Sequence, residues 1–250
     1  MKPPVDIFSI PYEIWETRGP TPQEASQSFS EGNGYPHEIK IRIKETISNP
    51  HEAVSYSVRV GGSDNRFEGF VDRQLKISQE YKALRQSMSS RTPQSISDYQ
   101  NKYSGSCLNQ VLEDIEACGS PIGVGTVLYH GGLCPSETGE VFITERPLST
   151  SFCPQIALRN AVWGSKAFDA GEIHMLILRI ADSATKAFAT RLKGTNKGHE
   201  KEVVFSSGAS LSILSKKLLT DSYKITKFNR DLSTVEKLIT VYVFDTHPLF

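Results

Sequence analysis

The feature that most constrains the fold is a change of pattern at Gly119-Ser120-Pro121, near the middle of the 250-residue chain. Before this point, apolar residues recur at roughly helical spacing over residues 71–88, and a second helical region spans residues 97–118. After it, short apolar or alternating runs are separated by Gly, Ser, Pro and Asn, which is typical of strands. The sequence therefore predicts a mainly helical N-terminal portion followed by a β-rich half.

Three segments are predicted from this change. Residues 1–37 are rich in Pro, Ser, Gly and Glu and contain several breaker dipeptides, so we expect an irregular or mobile segment. Residues 38–120 form the mainly helical portion. Residues 121–250 form the β-rich core, with one helix predicted from about residue 154 to about residue 163.

The helical portion is predicted to contain two exceptions. Residues 38–48 alternate as Ile39, Ile41 and Ile43, which fits a short strand or one amphipathic turn. Apolar residues also alternate from 53 to 60, directly before two glycines, and this pattern predicts a strand.

Charge and cysteine content exclude several classes of protein. Lys and Arg together number 28, as do Asp and Glu, so no global field points to nucleic acid or to an anionic membrane. No run of 18 apolar residues predicts a transmembrane helix, and the N-terminus lacks the apolar core of a cleaved signal peptide. We therefore expect a protein that is intracellular, or exported without a cleaved signal. The cysteines and histidines show no zinc-type spacing; the cysteines are Cys107, Cys118, Cys134 and Cys153.

A pair of glutamates opens an apolar run late in the chain. Glu200 and Glu202 directly precede Val203, Val204 and Phe205. Residues i and i+2 of a strand project from the same face, so we expect the two carboxylates to share one space. Two neighbouring carboxylates raise each other's pKa, which a chain tolerates in solvent or where the pair performs chemistry. The pattern alone leaves both interpretations open, because Glu-x-Glu is common on exposed edge strands.

Two further segments favour the chemical interpretation. The run Gly-Thr-Val-Leu-Tyr-His-Gly-Gly ends a predicted strand with His130 and Gly131. The run Ser149-Thr150-Ser151 precedes a predicted helix. Read in order with the Glu-x-Glu strand, these segments resemble the ADP-ribosyltransferase family, in its bacterial toxin and effector branch. The resemblance covers roughly residues 122–244.

The resemblance implies both a fold and an activity. The fold is α+β: a helical N-terminal portion packed on two opposed, mostly antiparallel sheets with an NAD cleft between them. The activity is that of an NAD⁺–protein ADP-ribosyltransferase, a glycosyltransferase of the pentosyltransferase type. It would consume NAD as a substrate, require no metal, release nicotinamide and modify a side chain of a host protein. Actin, a small GTPase or ubiquitin are possible targets, and neither nucleic acid nor a membrane is expected as a partner.

The same resemblance assigns roles to the motif residues. Cleavage of the bond between nicotinamide and ribose passes through an oxocarbenium-like state, which a nearby carboxylate stabilises. Glu202 would take that role, and Glu200 would orient or deprotonate the acceptor nucleophile. Ser149, and also Ser151, would hold Glu202 and the nicotinamide ribose through their hydroxyls, with Thr150 part of the same cofactor-binding strand.

His130 departs from the Ser-Thr-Ser toxins, in which the first motif usually carries an arginine that contacts the NAD phosphates. The segment is more similar to the diphtheria-toxin and poly(ADP-ribose) polymerase branch. There the histidine bonds the adenosine ribose, and the next glycine, here Gly131, lets the backbone contact nicotinamide. The competing candidate is Arg59, which also precedes two glycines in a predicted strand but lies 90 residues before Ser149.

Two loops complete the resemblance. Residues 164–171 correspond to the loop that closes over phosphate and nicotinamide, where Phe168 would stack on the cofactor or else pack as an ordinary loop aromatic. Residues 191–198 correspond to the substrate-recognition loop. Many arginine modifiers have an aromatic residue there, whereas this loop is basic and glycine-rich. The acceptor residue is therefore left open.

Three functions are alternatives to a protein-modifying ADP-ribosyltransferase. An NAD glycohydrolase would use the same chemistry with water as the acceptor. A non-catalytic binding module on the same fold would neither bind nor cleave NAD. An RNA-processing phosphotransferase is disfavoured by zero net charge and the lack of a basic-aromatic patch. The leading hypothesis is a secreted bacterial effector, a virulence toxin that acts in the host cytosol.

Overall fold

The structure is a computed structural model that describes residues 2–102, 108–134, 137–182, 186–195, 197–228, 231 and 233–249. It divides into two compact units. The smaller unit is Phe8–Asn49, and the larger unit joins Met1–Ile7 to Pro50–Phe250.

The smaller unit is a strand–helix–strand arrangement. Strand β1 (Tyr12–Arg18) pairs antiparallel with strand β2 (Ile39–Ile47), and helix α1 (Pro22–Ser30) lies between them in the sequence. The first turn of α1 is closed by a capping box, because the Thr21 hydroxyl accepts from the Glu24 N–H and the Glu24 carboxylate accepts from the Thr21 N–H.

Part of the prediction for this region is wrong. The segment 1–37, predicted as irregular, contains both β1 and α1, since the capping box and the cross-strand pairing order it. Of the two alternatives for residues 38–48, a short strand or one amphipathic turn, the structure has the strand. Because β2 pairs with β1, the predicted boundary between residues 37 and 38 falls inside the smaller unit.

From Pro50 to Cys118, the described residues of the larger unit form five helices. Their bounds are α2 Pro50–Arg59, α3 Asn65–Ile77, α4 Gln79–Gln86, α5 Gln94–Lys102 and α6 Leu108–Cys118. The predicted helical stretch 71–88 is confirmed as the end of α3 and the whole of α4, which divide at Ser78, the N-cap of α4. The second predicted stretch corresponds to α5 and α6; residues 103–107 between them, with Cys107, lie outside the described residues.

The strand predicted at 53–60 is wrong, because these residues belong to helix α2. Ala53, Val54, Ser57 and Val58 are buried along one helical stripe, which a strand could not place on a single face. The acidic residue in the first turn and Arg59 in the last turn suit the helix dipole. The apolar residues here fit both the strand period and the helix period. Burial of one helical stripe distinguishes the two.

Nine strands follow in the described part of the chain and form one sheet. Their bounds are β3 Ser120–Pro121, β4 Val127–Gly132, β5 Val141–Ile143, β6 Leu148–Ser151, β7 Glu172–Arg179, β8 Lys186–Ala189, β9 Glu202–Phe205, β10 Ser210–Phe228 and β11 Thr234–Leu249. Helix α7 (Pro154–Val162) and the short helix α8 (Lys166–Ala170) lie between β6 and β7 in the sequence. The spatial order is β3-β8-β9-β6-β4-β7-β11-β10-β5.

The sheet has two halves that meet at one point. Strands β4 and β6 pair only at Tyr129 and Ser151, whereas the neighbouring pairs have longer ladders. All pairs are antiparallel except β7 with β11. The predicted α+β fold with mostly antiparallel strands is confirmed, and the two sheets expected from the sequence are these two halves of one hydrogen-bonded sheet.

Candidate active site

Three motif strands lie side by side where the halves of the sheet meet. In the spatial order β9-β6-β4, strand β6 stands between the other two. Ser151 pairs with Glu202 on one side and with Tyr129 on the other. The His130 ring nitrogen Nδ1 lies 2.7 Å from the Ser149 carbonyl oxygen. The fold thus brings together the three segments that the sequence singled out.

Glu202, the first residue of β9, is a buried carboxyl group that accepts two hydrogen bonds. Only 4% of the residue is exposed. Its Oε1 accepts from the Ser149 hydroxyl and its Oε2 accepts from the Gln100 amide. Burial raises the pKa of Glu202, the two hydrogen bonds oppose that rise, and the charge of Glu200 adds to it. The net shift is upward, so Glu202 holds its proton more tightly than an exposed glutamate.

Gln100 is a site residue that the sequence analysis missed. It lies on α5, and its amide nitrogen also donates to the Thr190 hydroxyl at 3.1 Å. The preceding residue, Tyr99, donates its hydroxyl to the Pro147 carbonyl at 2.6 Å, which ties α5 to the chain just before β6. No local pattern marks Gln100, because its role follows from where α5 packs.

Glu200 does not share a strand face with Glu202, so that prediction is wrong. Residues Gly198–Glu200 form a turn of 3-10 helix, and Lys201 has a left-handed φ of 51°. The chain therefore turns a corner between the two glutamates, and the i, i+2 rule for strands does not apply. The Glu200 carboxylate pairs with the Lys197 ammonium at 2.7 Å.

The corner is held by Lys201, whose side chain is buried. Its ammonium lies 3.2 Å from the Asp72 carboxylate and donates to the His199 carbonyl at 2.9 Å. Only 2% of the Lys201 side chain is exposed, so removing Asp72 would leave a buried ammonium group without its carboxylate partner. The sequence offered no hint that the middle residue of the motif points inward.

The three hydroxyls of the Ser-Thr-Ser strand have different partners. Ser149 bonds Glu202, as the resemblance implied. Thr150 donates to the Val203 carbonyl at 2.7 Å, across the β6–β9 ladder. Ser151 donates to the Glu200 carbonyl at 2.7 Å and accepts from the Cys153 N–H at 3.0 Å. The Thr150 and Ser151 hydroxyls therefore support the strand and the corner, and only the Ser149 hydroxyl bonds a glutamate side chain.

His130 and Gly131 lie at the end of β4. Burial lowers the pKa of His130, the contact with the Ser149 carbonyl opposes this, and the charge of Lys166 adds to the lowering. The lowered pKa favours the neutral ring, and because a carbonyl oxygen can only accept, Nδ1–H is the donor to Ser149. Gly131 has no room for a side chain, since a Cβ atom there would lie 2.0 Å from the Ala157 carbonyl oxygen. This close approach sets the distance between α7 and β4.

A cleft of about 680 Å³ opens beside these strands. Its walls include five of the predicted site residues, namely His130, Gly131, Ser149, Thr150 and Ser151. Arg146, Asn160 and Lys166 also line it and supply cationic and polar groups that the sequence analysis did not assign. Glu202 is not part of the lining, so Ser149 connects it to the cleft.

Two predicted candidates lie elsewhere. Phe168 is on α8, where the ammonium groups of Lys227 and Lys237 stand 5.5 and 5.6 Å from its ring centre. Arg59 ends α2, with its guanidinium 5.2 Å from the Tyr56 ring. Neither Phe168 nor Arg59 lines the cleft. Of the predicted recognition loop 191–198, Asn196 lies outside the described residues.

The chain is similar to several solved structures. One is the ADP-ribosyltransferase Vis from Vibrio splendidus, in complex with agmatine, at 13% identity and a TM-score of 0.42, covering 81% of this chain and 87% of that chain. Another is C3larvin toxin, an ADP-ribosyltransferase from Paenibacillus larvae, at 12% identity and a TM-score of 0.39. The match covers 69% of this chain and 94% of that chain. A third is the ADP-ribosylating toxin BECa of a C. perfringens binary enterotoxin, with NADH, at 13% identity and a TM-score of 0.40. The match covers 82% of this chain and 51% of that chain.

These similarities have low identities and TM-scores below 0.5, and the chemistry of the site follows from the residues of this chain. No protein-family model and no curated protein matches the sequence. Within the described part of the chain, no helix has the length and apolar character needed to cross a membrane.

Proposed function

We propose that the protein is an NAD-dependent mono-ADP-ribosyltransferase that releases nicotinamide and modifies a side chain of another protein. The observation that carries this proposal is the buried Glu202 carboxyl group, bonded by Ser149 at the edge of the cleft. A buried acid with a raised pKa and a positioned hydroxyl beside a cleft is typical of a catalytic centre.

Glu202 would act on the bond between nicotinamide and ribose. As this bond breaks, its electron pair leaves with nicotinamide and positive charge develops on the ribose. A carboxylate stabilises that charge, and its effect is greater in a buried site than in water. Ser149 would fix the carboxylate's orientation before NAD arrives, so that no reorganisation is needed in the transition state.

The cleft fits a dinucleotide. Its volume lies within the range of small-molecule pockets, roughly 300–1,000 Å³. Arg146 and Lys166 would face the phosphates, since cationic side chains are the usual partners of phosphate oxygens. His130, neutral and with Nδ1–H committed to Ser149, would present Nε2 as an acceptor for a ribose hydroxyl. This supports His130 rather than Arg59 in the first-motif role.

Glu200 would serve the acceptor rather than NAD. The acceptor nucleophile adds to the ribose carbon and loses a proton, which a carboxylate within hydrogen-bond reach can take. Glu200 is partly exposed, with 17% of its side chain accessible, and it lies one corner away from Glu202. Its bond to Lys197 would have to open when the acceptor binds.

The biological setting is also part of the proposal. The motif resemblance to toxins and effectors supports a secreted bacterial effector that acts on a host protein. Actin, a small GTPase and ubiquitin are the candidate target classes, and the residue modified is to be found by mapping.

The experiment measures nicotinamide release from labelled NAD, with and without a eukaryotic lysate as the acceptor source. We expect the wild-type protein to release nicotinamide and to label a lysate protein. Glu202→Gln should lower release at least about 100-fold with little change in NAD affinity, because its effect is confined to the transition state. Glu113→Gln, at an exposed position on α6, is the matched control. Near-normal release by Glu202→Gln would refute the proposal.

One observation favours NAD glycohydrolase as a second candidate. The Glu200 carboxylate is paired with Lys197, whereas water as the acceptor needs no such base. A glycohydrolase would form free ADP-ribose at the same rate with or without lysate and would label no protein. A non-catalytic module would show no heat of binding in an NAD titration.

A further inference from the structure

A basic groove lies on the larger unit, outside the cleft. It is about 660 Å³ in volume and is formed by the end of α3, by α4 and by the chain around residue 192. We propose that this basic groove docks an acidic segment of the protein acceptor, with apolar side chains among its carboxylates. This inference rests on the proposed function, because it supplies the acceptor's docking surface.

The charged side chains among the described lining residues of the groove are all cationic. The cations that line it are Lys76, Lys82, Arg85, Arg191 and Lys193. None of the described lining residues is Asp or Glu, although the chain as a whole has 28 of each sign. Among the described residues, none of these five cations forms a salt bridge. The groove therefore concentrates positive charge that the protein itself does not neutralise.

Two of the cations are held in place by neutral partners. Arg85 donates to the Ala189 carbonyl at 2.6 Å and to the Ser89 carbonyl at 3.0 Å. Arg191 donates to the Ser90 carbonyl at 3.1 Å. Carbonyl oxygens orient a guanidinium without removing its net charge, so both arginines contribute positive charge to the groove. An incoming acidic group would meet donors that are already ordered.

The floor of the groove favours a protein segment over a nucleic acid. It consists of Leu75, Tyr81, Met88 and Leu192. Tyr81 is 6% exposed and its hydroxyl reaches the Thr190 carbonyl, so its ring offers no free face. Single-stranded nucleic acids bind through bases stacked on exposed aromatic rings, and the described lining offers none. Leu75 and Met88 are as buried as Tyr81, so within the described lining the half-buried Leu192 is the apolar contact for side chains that lie between the carboxylates.

The position of the groove suits an acceptor. Arg191 and Ser90 also line a second, polar pocket of about 290 Å³, which continues to Gln100 and Lys197. Gln100 bonds Glu202, and Lys197 pairs with Glu200. The basic groove is thus connected, through this pocket, to a side chain that contacts each of the two glutamates.

The test uses a fluorescein-labelled peptide of alternating Glu and Leu residues and measures its anisotropy on titration with the full chain. A Gln-Leu peptide of the same length and a single-stranded thymidine oligonucleotide are the comparison probes. The variant is Lys76→Glu with Lys82→Glu, two exposed positions that line the groove and lie outside the cleft. The matched control is Lys44→Glu with Lys217→Glu, which makes the same charge change at exposed positions elsewhere.

We expect the Glu-Leu peptide to bind more tightly than either comparison probe. The double variant should weaken it about tenfold, with the control unchanged, because two attractive pairs become repulsive. Equal affinity for the Gln-Leu peptide, tighter binding of the oligonucleotide, equal losses in variant and control, or no binding would each overturn the inference.

Nicotinamide release with water as the acceptor separates this inference from the proposed function. The groove variant should release nicotinamide at the wild-type rate. If the wild-type protein released none, the proposed function would fail while the peptide titration still decided whether the groove binds acidic segments.

Discussion

The two glutamates of the Glu-Lys-Glu segment lie in opposite environments although one residue separates them. Glu202 is 4% exposed and accepts from Ser149 and Gln100. Glu200 is partly exposed and paired with Lys197 on its own turn. The first is preorganised and desolvated, and the second can exchange its partner. Under the proposed function, Glu202 would serve the cleavage of NAD and Glu200 would serve a ligand that arrives from outside.

A substitution at Glu200 tests most directly whether the two glutamates have different roles. Glu200→Gln should reduce labelling of a lysate protein by about 100-fold or more, because a general base contributes that much. Nicotinamide release into water should change only about threefold, since water needs less orientation than a side chain. Both are measured with labelled NAD, and Glu113→Gln is the control. Equal loss in both assays would place Glu200 in the NAD-cleaving step.

Ser149 tests whether preorganisation of Glu202 matters. Ser149→Ala should lower kcat for nicotinamide release by about 10- to 100-fold, as expected for a lost hydrogen bond to a charged group. The Ser149 hydrogen bond lowers the pKa of Glu202, so its loss should move the acid limb of the kcat profile to higher pH. Ser30→Ala, on the smaller unit, is the control. An unmoved acid limb would contradict this assignment.

A substitution at His130 tests whether this residue binds NAD, in contrast to the two glutamates, which would act on the chemical steps. His130→Ala should raise the KM for NAD about fivefold, the effect of losing one neutral hydrogen bond of about 1 kcal/mol. Its kcat should change little if His130 binds NAD and takes no part in the transition state. Steady-state kinetics of nicotinamide release measure both constants. A fall in kcat with KM unchanged would assign His130 to the chemical step.

The smallest expected effect is on stability. Because burial raises the pKa of Glu202, the folded state binds a proton more tightly than the unfolded chain, and stability is lost as pH rises through that raised pKa. Glu202→Gln lacks this loss, so its Tm should exceed that of the wild type near about pH 8, and the difference should shrink toward about pH 4. Circular dichroism melts at each pH test this, and a pH-independent difference would contradict it.

Some of this structure could be predicted from the sequence. The change at Gly119-Ser120-Pro121 marked the boundary between helices and strands because periodicity is a local property. The neighbouring positions of the three motif strands followed only from the family resemblance. The sequence Thr21-Pro22-Gln23-Glu24 contains the capping box of α1. The Pro, Ser and Gly residues around it favoured an irregular segment, so the helix was not predicted.

Other features could not have been predicted, because they depend on packing between distant segments. Gln100 reaches Glu202 from α5, 102 residues earlier in the chain. The strand assigned to 53–60 failed because its alternation suits two periods, and only burial on one stripe distinguishes them. The inward direction of Lys201 required Asp72, which no spacing rule connects to it.

The left-handed backbone at Lys201 has a consequence for how the motif is recognised in sequences. At a φ of 51°, a β-branched residue is strongly disfavoured. The middle letter of Glu-x-Glu is therefore not free in a chain that bends here: Val, Ile or Thr would favour a straight strand, with both carboxylates on one face. A pattern search that ignores the middle residue would group bent and straight versions together. In a bent version one glutamate is buried and the other is partly exposed, whereas a straight strand places both on one face.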